Sequence, residues 1–560
     1  MADYEGEIRK IIHKLTKLDE EKIILEVPKN PEHGDYAFPC FILSRETGEN
    51  PVHKAKELAA LIKPSGNVIS VSHVGPYINF KVNKTALIGE TIKNIFKEKD
   101  EYGSAHSGKW KKALVEHTSV NPNASPHVGR ARNAMIGDSI ARLLKFEGYK
   151  TEVHYLVNDV GKQIAMLVIG CAGRKDVTFH NLLDIYIEIS KEAENNPEIE
   201  KQIFEKLNKL ENGDKKVRQD FENVVKICID GQKEILEEFG IKYDSFDHES
   251  VYLWDKKTQK VLDKLGKTKK IFTDEEKRIV LDLKEHDIPM ETPVLVLTRA
   301  DGTSLYPLRD LAYNIDKLSM ADHNYVVLGE DHKLYFAQIA AALKMLGHEP
   351  PKVIHYAFVL LNEGKMSTRK GNVVLLEEFM KEAKDKAKFE IKKRHGDVHN
   401  LEELSKVIAY GAVKYAILRV SPEKNVVFDW DSALSFEGDS GPYIQYSHAR
   451  IASILAKYEK KVPQNADFTW LKDAKELALA NKLADFQNVV SKAVQDLRPN
   501  AIANYACELA QRFNEFYHTC PILQAPSREI LEARLALAAA TKQVLRNALY
   551  ILGIDAPDKM

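Results

Sequence analysis

The 560-residue chain predicts an α/β protein built on a doubly wound parallel sheet, with a smaller N-terminal α+β domain before it and a C-terminal all-α helix bundle after it. Three observations carry that expectation. Residues from about 110 to 420 alternate strand and helix signals, the first 106 mix a helix with short strands, and the last 120 or so lose strand signals and become helical throughout. The predicted division is 1–106, then 107–425 with a helical insertion near 190–240, then 426–560.

In the first part, Ile8, Ile11, Ile12, Leu15 and Leu18 recur at helical spacing, and short apolar runs at Ile23 to Val27, Val68 to Val74 and Tyr77 to Val82 read as strands with a turn at Gly34 to Ala37. In the second, Val115 and Glu116 close a strand signal, Ser119 to Ala124 form a turn, and Ala131 to Leu144 place Ile136, Ile140, Leu143 and Leu144 on one helix face. The lysine-rich stretch Asn195 to Gln219 reads as an inserted helical segment with a solvated face, as does the tract Lys381 to His395. In the third, Leu479, Leu483, Phe486, Val490, Ala493 and Leu497 follow at three- and four-residue steps until Arg498, Pro499 and Asn500 break the helix.

Lys plus Arg number 81 against 82 Asp plus Glu, so the chain offers nucleic acid no global attraction, and any such surface is a local patch. Cys40, Cys171, Cys228, Cys507 and Cys520 stand far apart with no Cys-x-x-Cys pair, which argues against a disulfide framework and a structural zinc site and fits the cytoplasm. No apolar run approaches the roughly 18 residues of a membrane span. The acidic start, Asp3, Glu5 and Glu7, does not suit a transit peptide.

Two motifs carry chemistry. Ser125, Pro126, His127, Val128, Gly129 and Arg130 lie between a strand and a helix, where small residues let a nucleotide approach and the imidazole and guanidinium face a triphosphate at a helix N-terminus. About 240 residues later, Lys365, Met366, Ser367, Thr368, Arg369, Lys370 and Gly371 supply cations for the charge that builds on a departing pyrophosphate. Alone, the first is as well read as a helix start with a satisfied histidine, and the second has a solvated basic turn as its rival. Their pairing points to adenylation.

The chain resembles the class I aminoacyl-tRNA synthetases, and among them the arginyl-tRNA synthetases. The resemblance spans nearly the whole chain, in Val115 to Arg132, Tyr155 to Gln163, Asp301 to Asp310, Gly329 to Gln338, Lys365 to Gly371, Ser440 to Leu455, Phe513 to Leu523 and Leu552 to Met560. It implies a Rossmann-like catalytic domain, ATP with the Mg2+ that ATP carries and no metal held by the protein, and L-arginine and tRNA(Arg) as partners of a monomer. It also implies arginyl-adenylate formation, transfer to the 2′-OH of the terminal adenosine, and poor activation until tRNA is bound.

On that resemblance, His127, Arg130, Lys365, Arg369 and Lys370 are the catalytic cations, with Ser125 to Arg130 and Lys365 to Ser367 holding ATP. A guanidinium carries five donors and a permanent charge, so its pocket must offer carboxylates. Glu249 and Asp310 stand where the family places guanidinium ligands, with Tyr306 one helical turn before Asp310 to add a phenol. Glu116, Asn121 and His332 would meet the α-amino end, although a loop histidine such as His332 is often a helix cap. In the N-terminal domain Tyr77 would stack on an unpaired base and Asn79 read its edge, with Tyr77 read equally as a strand core aromatic. Tyr443 and Tyr446 are the candidates for anticodon stacking, with Phe516 beside them.

Two departures from the family pattern stand out: Arg130 replaces a second histidine, and Thr368 stands where class I enzymes usually have a lysine. The rival readings are a catalytically silent synthetase-like tRNA-binding protein and a class I enzyme for lysine.

Overall fold

The computed structural model describes residues 4–26, 28, 30–361, 364–365, 374–396 and 399–560. The chain forms two compact units. One contains Met1–Tyr102, Ile451–Phe486 and Gln511–Val544, and the other Gly103–Arg450, Gln487–Ala510 and Leu545–Met560.

In the first unit the helix Tyr4–Thr16 turns Ile8 and Ile12 onto an antiparallel sheet of β1 (Tyr36–Pro39), β2 (Val68–Val74) and β3 (Tyr77–Val82), ordered β1-β3-β2. Ile8, Phe38, Ile78 and Phe80 form its core. The strand expected over Ile23 to Val27 does not form: a 3-10 turn covers Glu20–Lys22, and only Glu26 bridges to Ala37, with Val27 outside the described residues. Ile23 is buried and Ile24 two-thirds exposed, so the alternation is real but no ladder accompanies it. The turn expected at Gly34 to Ala37 is shorter, because Tyr36 already pairs with Phe80. Gly34 has φ 142°, and a Cβ there would stand 2.8 Å from the Phe80 carbonyl oxygen, so the close approach requires glycine.

In the second unit β4 (Lys112–Glu116), β5 (Lys150–Val157), β6 (Ser245–His248), β10 (His323–Gly329) and β11 (Lys352–Tyr356) make a wholly parallel sheet ordered β11-β10-β4-β5-β6. Counted in chain order within the sheet this is 5-4-1-2-3, the doubly wound arrangement whose direction reverses between β4 and β10. Ligands bind outside the strand C-terminal ends at such a switch point. Three short antiparallel strands, β7 (Ile271–Thr273), β8 (Ile279–Asp282) and β9 (Val294–Val296), form a side sheet. A further small sheet joins β12 (Val359–Leu361), β13 (Gly364–Lys365) and β14 (Val426–Phe428).

The expected insertion is helical: Leu182–Asn195, Pro197–Glu211 and Lys215–Glu238. The tract Lys381 to His395 belongs to the helix Leu376–His395. At the C-terminal end the helices are Gly441–Lys457, Ala474–Ala484, Phe486–Asp496, Pro499–Thr519 and Arg528–Ile551. The periodic run through Leu479 and Leu497 is therefore two helices parted at Asp485, and Pro499 heads the next, where its missing N–H costs nothing. No helix of the described residues is long and apolar enough to cross a membrane.

Candidate active site

The switch point gathers the sequence motifs. Glu116 ends β4, the strand-to-helix turn follows, and His127 caps the helix Val128–Phe146 with extended φ and ψ of −86° and 157°. The His127 ring lies against Gly129, where a Cβ would meet ring atoms at 3.1 Å. Burial, and then the Arg130 charge, push the imidazole down to about 4, so it is neutral at pH 7 and offers one N–H to a phosphate oxygen. Ser125 Oγ is buried with no hydrogen-bond partner among the described residues, as suits a hydroxyl awaiting a ligand in a phosphate turn.

The segment that follows the basic motif meets the phosphate turn through its backbone. His127 bridges to Leu375, the Val128 N–H donates to Val374 O at 3.1 Å, and the Leu376 N–H donates to Pro126 O at 2.7 Å. The downstream foot of the basic loop is thus stitched to the phosphate turn. Its upstream foot is β13, where Lys365 pairs with Leu360. Arg132, on the same helix as the turn, is fully buried and donates to Ala357 O at 2.6 Å and Ser421 O at 3.1 Å, beside the start of β12. Met366, Ser367, Thr368, Arg369 and Lys370 lie outside the described residues.

Asp310 sits in the first turns of the helix Tyr306–Leu318. Asn314 Nδ2 donates to its Oδ1 at 2.7 Å and the Tyr335 hydroxyl to its Oδ2 at 2.8 Å. None of these partners is a cation. Burial, together with the Glu116 charge, pushes the carboxyl up to about 6 against the opposing pull of Lys317. The sequence led us to expect Tyr306 as the phenol partner, but its side chain is more than half exposed and stacks obliquely on Tyr335, 5.0 Å between centroids. Tyr335 lies in the Gly329 to Gln338 segment and carried no signal of its own beyond that.

The two glutamates are occupied. Lys317 Nζ donates to Glu116 in a buried ion pair, and Arg309 Nε donates to Glu249 Oε1 at 2.6 Å, also buried. In this conformation Glu249 therefore holds the chain's own guanidinium rather than an open position. Asp159, in the Tyr155 to Gln163 segment, fixes the strand end beneath Glu249, accepting from Ser250 N–H at 2.8 Å and Ser250 Oγ at 2.7 Å, with His248 Nδ1 2.9 Å away. The Asn121 amide donates to Gln163 Oε1 at 2.9 Å. His332 ends the 3-10 turn Glu330–His332 and stands at the N-cap position of the helix Lys333–Met345, where its partly exposed ring makes no side-chain capping bond. Among the described residues no cluster of three His, Cys, Asp or Glu side chains is arranged to hold a metal.

Of the candidate RNA contacts, Tyr77 on β3 is half-buried with its ring edge-on to Phe41 at 6.0 Å, whereas Asn79 is 3% exposed and its edge is enclosed. Tyr443 and Tyr446 lie on one face of the helix Gly441–Lys457, both half-buried, and Arg450 stacks over Tyr446 at 4.7 Å. Phe516 is wholly buried.

The doubly wound sheet, with a phosphate turn at its switch point and the segment Val374 to Leu376 stitched to that turn, defines a class I aminoacyl-tRNA synthetase. The catalytic-domain model of class I tRNA synthetases (R) matches residues 91–430, a DALR anticodon binding domain matches 444–560, and an arginyl tRNA synthetase N-terminal domain matches 2–82. The arginine–tRNA ligase of Methanocaldococcus jannaschii is 40% identical over 552 residues, 96% of each chain, and that of Methanococcus aeolicus 37% over 99% of this chain and 98% of that one. The Thermus thermophilus arginyl-tRNA synthetase structure superposes with a TM-score of 0.83 at 27% identity, covering 100% of this chain and 99% of that one. The chain belongs to the arginyl-tRNA synthetase family.

Proposed function

We propose that this chain activates L-arginine with ATP and transfers it to the 2′-OH of the terminal adenosine of tRNA(Arg), acting as a cytoplasmic monomer with Mg2+ entering on ATP. The observation that carries the choice of arginine is Asp310: a recessed carboxylate at the switch point whose hydrogen bonds come from Tyr335 and Asn314, while the neighbouring Glu116 and Glu249 already have cationic partners. An incoming guanidinium supplies the missing charge and enough donors to engage Asp310 and the surrounding acceptors.

In the first step the arginine carboxylate attacks the α-phosphorus, forming the P–O bond of the adenylate as pyrophosphate leaves. In the second, the ribose hydroxyl attacks the adenylate carbonyl and AMP departs. Positioning and charge compensation do most of the work. His127 and Arg130 face the triphosphate from the helix start, Ser125 supplies its hydroxyl, and Lys365, Arg369 and Lys370 follow the charge on pyrophosphate. Asn121, Glu116 and His332 line the α-amino side, with Glu116 held in place by its pair with Lys317. In the division proposed, 1–106 and 426–560 flank the 107–425 catalytic domain, and Tyr77, Tyr443 and Tyr446 present faces to RNA.

The full-length relatives named arginine–tRNA ligase favour this reading over a lysine enzyme or a silent tRNA-binding protein. An aminoacylation assay across an amino-acid panel tests it. Charging confined to arginine is the expected result; charging of lysine, or of nothing, refutes it.

A further inference from the structure

The loop from β4 to the helix Val128–Phe146 carries Asn121 and the phosphate turn, and it is strained. Thr118 and Ser119 have φ of 73° and 45°, in the left-handed region that a β-branched threonine rarely enters. Such strain persists only where the surroundings over-determine it. The Thr118 N–H donates to Asn133 Oδ1 at 2.6 Å, Leu156 N–H donates to Ser119 Oγ at 3.2 Å, and Val120 N–H donates to the Tyr155 hydroxyl at 3.0 Å.

The second half of the loop is held from the insertion. Gln232, on the helix Lys215–Glu238, has no exposed surface, and its Nε2 donates to Asn121 O at 3.1 Å and to Ala124 O at 2.8 Å. Its Oε1 lies 2.8 Å from the Tyr155 hydroxyl, which is within reach of Val120 O as well. Two carbonyls on one side fix which end of the amide is which, and both N–H donors are taken up by them. Helix, strand β5 and loop are thereby locked through one side chain more than 100 positions downstream of the loop.

We infer that Gln232 is a positioning residue for arginine activation, its amide pinning the Asn121 and Ala124 carbonyls so that Asn121 and the Ser125 to Arg130 turn stay in reacting register. The inference rests on Asn121 and that turn being ligands of arginine and ATP. A core glutamine with no such role would affect stability alone. A positioning role alters the parameters of every folded molecule, since small displacements of reacting groups cost on the order of a hundredfold in rate.

The test uses the full chain in arginine-dependent pyrophosphate exchange with cognate tRNA present, each variant normalised by active-site titration. Gln232→Met keeps the volume and removes both donors; Gln232→Glu keeps the acceptor for Tyr155 and leaves at most one donor for the two carbonyls. Both are expected to raise KM for arginine and lower kcat, each by about tenfold or more, with KM for tRNA unchanged. Tyr155→Phe, which leaves Gln232 its two carbonyls, is expected to show a smaller change in the same direction, and it keeps the question open to measurement should either Gln232 variant fail to fold. Wild-type kcat and KM in the folded fraction of the Gln232 variants, or of Tyr155→Phe alone if they do not fold, overturn the inference. Asn121→Ala measured alongside separates the two readings: normal KM for arginine in that variant removes the ligand assignment itself.

Discussion

The Tyr335 hydroxyl donates to Asp310 Oδ2 at 2.8 Å, linking a carboxylate on the helix Tyr306–Leu318 to a phenol on the helix Lys333–Met345. The bond orients the carboxylate and leaves its charge to be met by substrate. Replacing Asp310 by Asn leaves a desolvated cation without its partner, a loss of about 3 to 5 kcal/mol, or roughly 10² to 10⁴ in apparent arginine affinity. KM for ATP should barely change. Tyr335→Phe removes one bond to a charged acceptor, about 1.5 to 3 kcal/mol, and steady-state KM for arginine is expected to rise in both variants. Unchanged KM in Asp310→Asn would remove it from the pocket.

The raised Asp310 carboxyl gives a pH dependence of definite sign. With its value pushed to about 6, above the ordinary range of free aspartate, the residue favours the folded state fully below the unfolded value and loses that contribution as pH rises through 6. Arginine binding runs the other way, because a cation needs the ionised form. KM for arginine should therefore climb by about tenfold per pH unit below pH 6, and Asp310→Asn should flatten the profile. KM measured from pH 5 to 8 checks both.

Glu116 and Lys317 are nearly free of solvent, so breaking their pair strands a charge. Lys317→Met or Glu116→Gln should each cost about 3 to 5 kcal/mol of stability, and the double substitution appreciably less than the sum. Denaturant unfolding of the full chain reads the difference. Additive losses would mean that the two residues are not coupled.

The terminal residues bind the catalytic unit. Ser139 Oγ donates to Ile551 O at 2.9 Å, Lys414 Nζ donates to Gly553 O, with about 2.5 Å between them, and Gln445 Nε2 donates to Asp555 O at 2.9 Å. Burial pushes Lys414 down to about 8. Deleting residues 553–560 should lower the unfolding midpoint and reduce tRNA-supported activation, because it leaves the Lys414 ammonium buried without an acceptor. A midpoint equal to that of the intact chain would count against this tether.

Thr368 supports a prediction from sequence alone. With a lysine missing there, arginine-dependent pyrophosphate exchange is expected to need tRNA, tested with tRNA whose terminal ribose has been oxidised, and Thr368→Lys is expected to relieve the need. Full exchange by the unaltered chain without tRNA sinks the idea.

What the chain spelled out locally was legible without coordinates. The strand ending at Glu116 and the helix after the phosphate motif follow from neighbouring residues, as do helices near the C-terminus, although that helix opens at Val128 and so takes Val128 to Arg130 out of the expected turn; periodicity and turn chemistry act over a few positions. Tertiary structure decided which acids are open. Glu116 meets Lys317 across 201 positions and Glu249 meets Arg309 across 60, while Asp310 meets Tyr335 and no bonded cation. The same holds for Gln232 beneath the signature loop, which in the sequence is one polar residue on an amphipathic helix. Charge pairing and hydrogen bonding depend on through-space distances of about 3 Å, and those distances exist only once the strands have been ordered β11-β10-β4-β5-β6 and the helices packed against them.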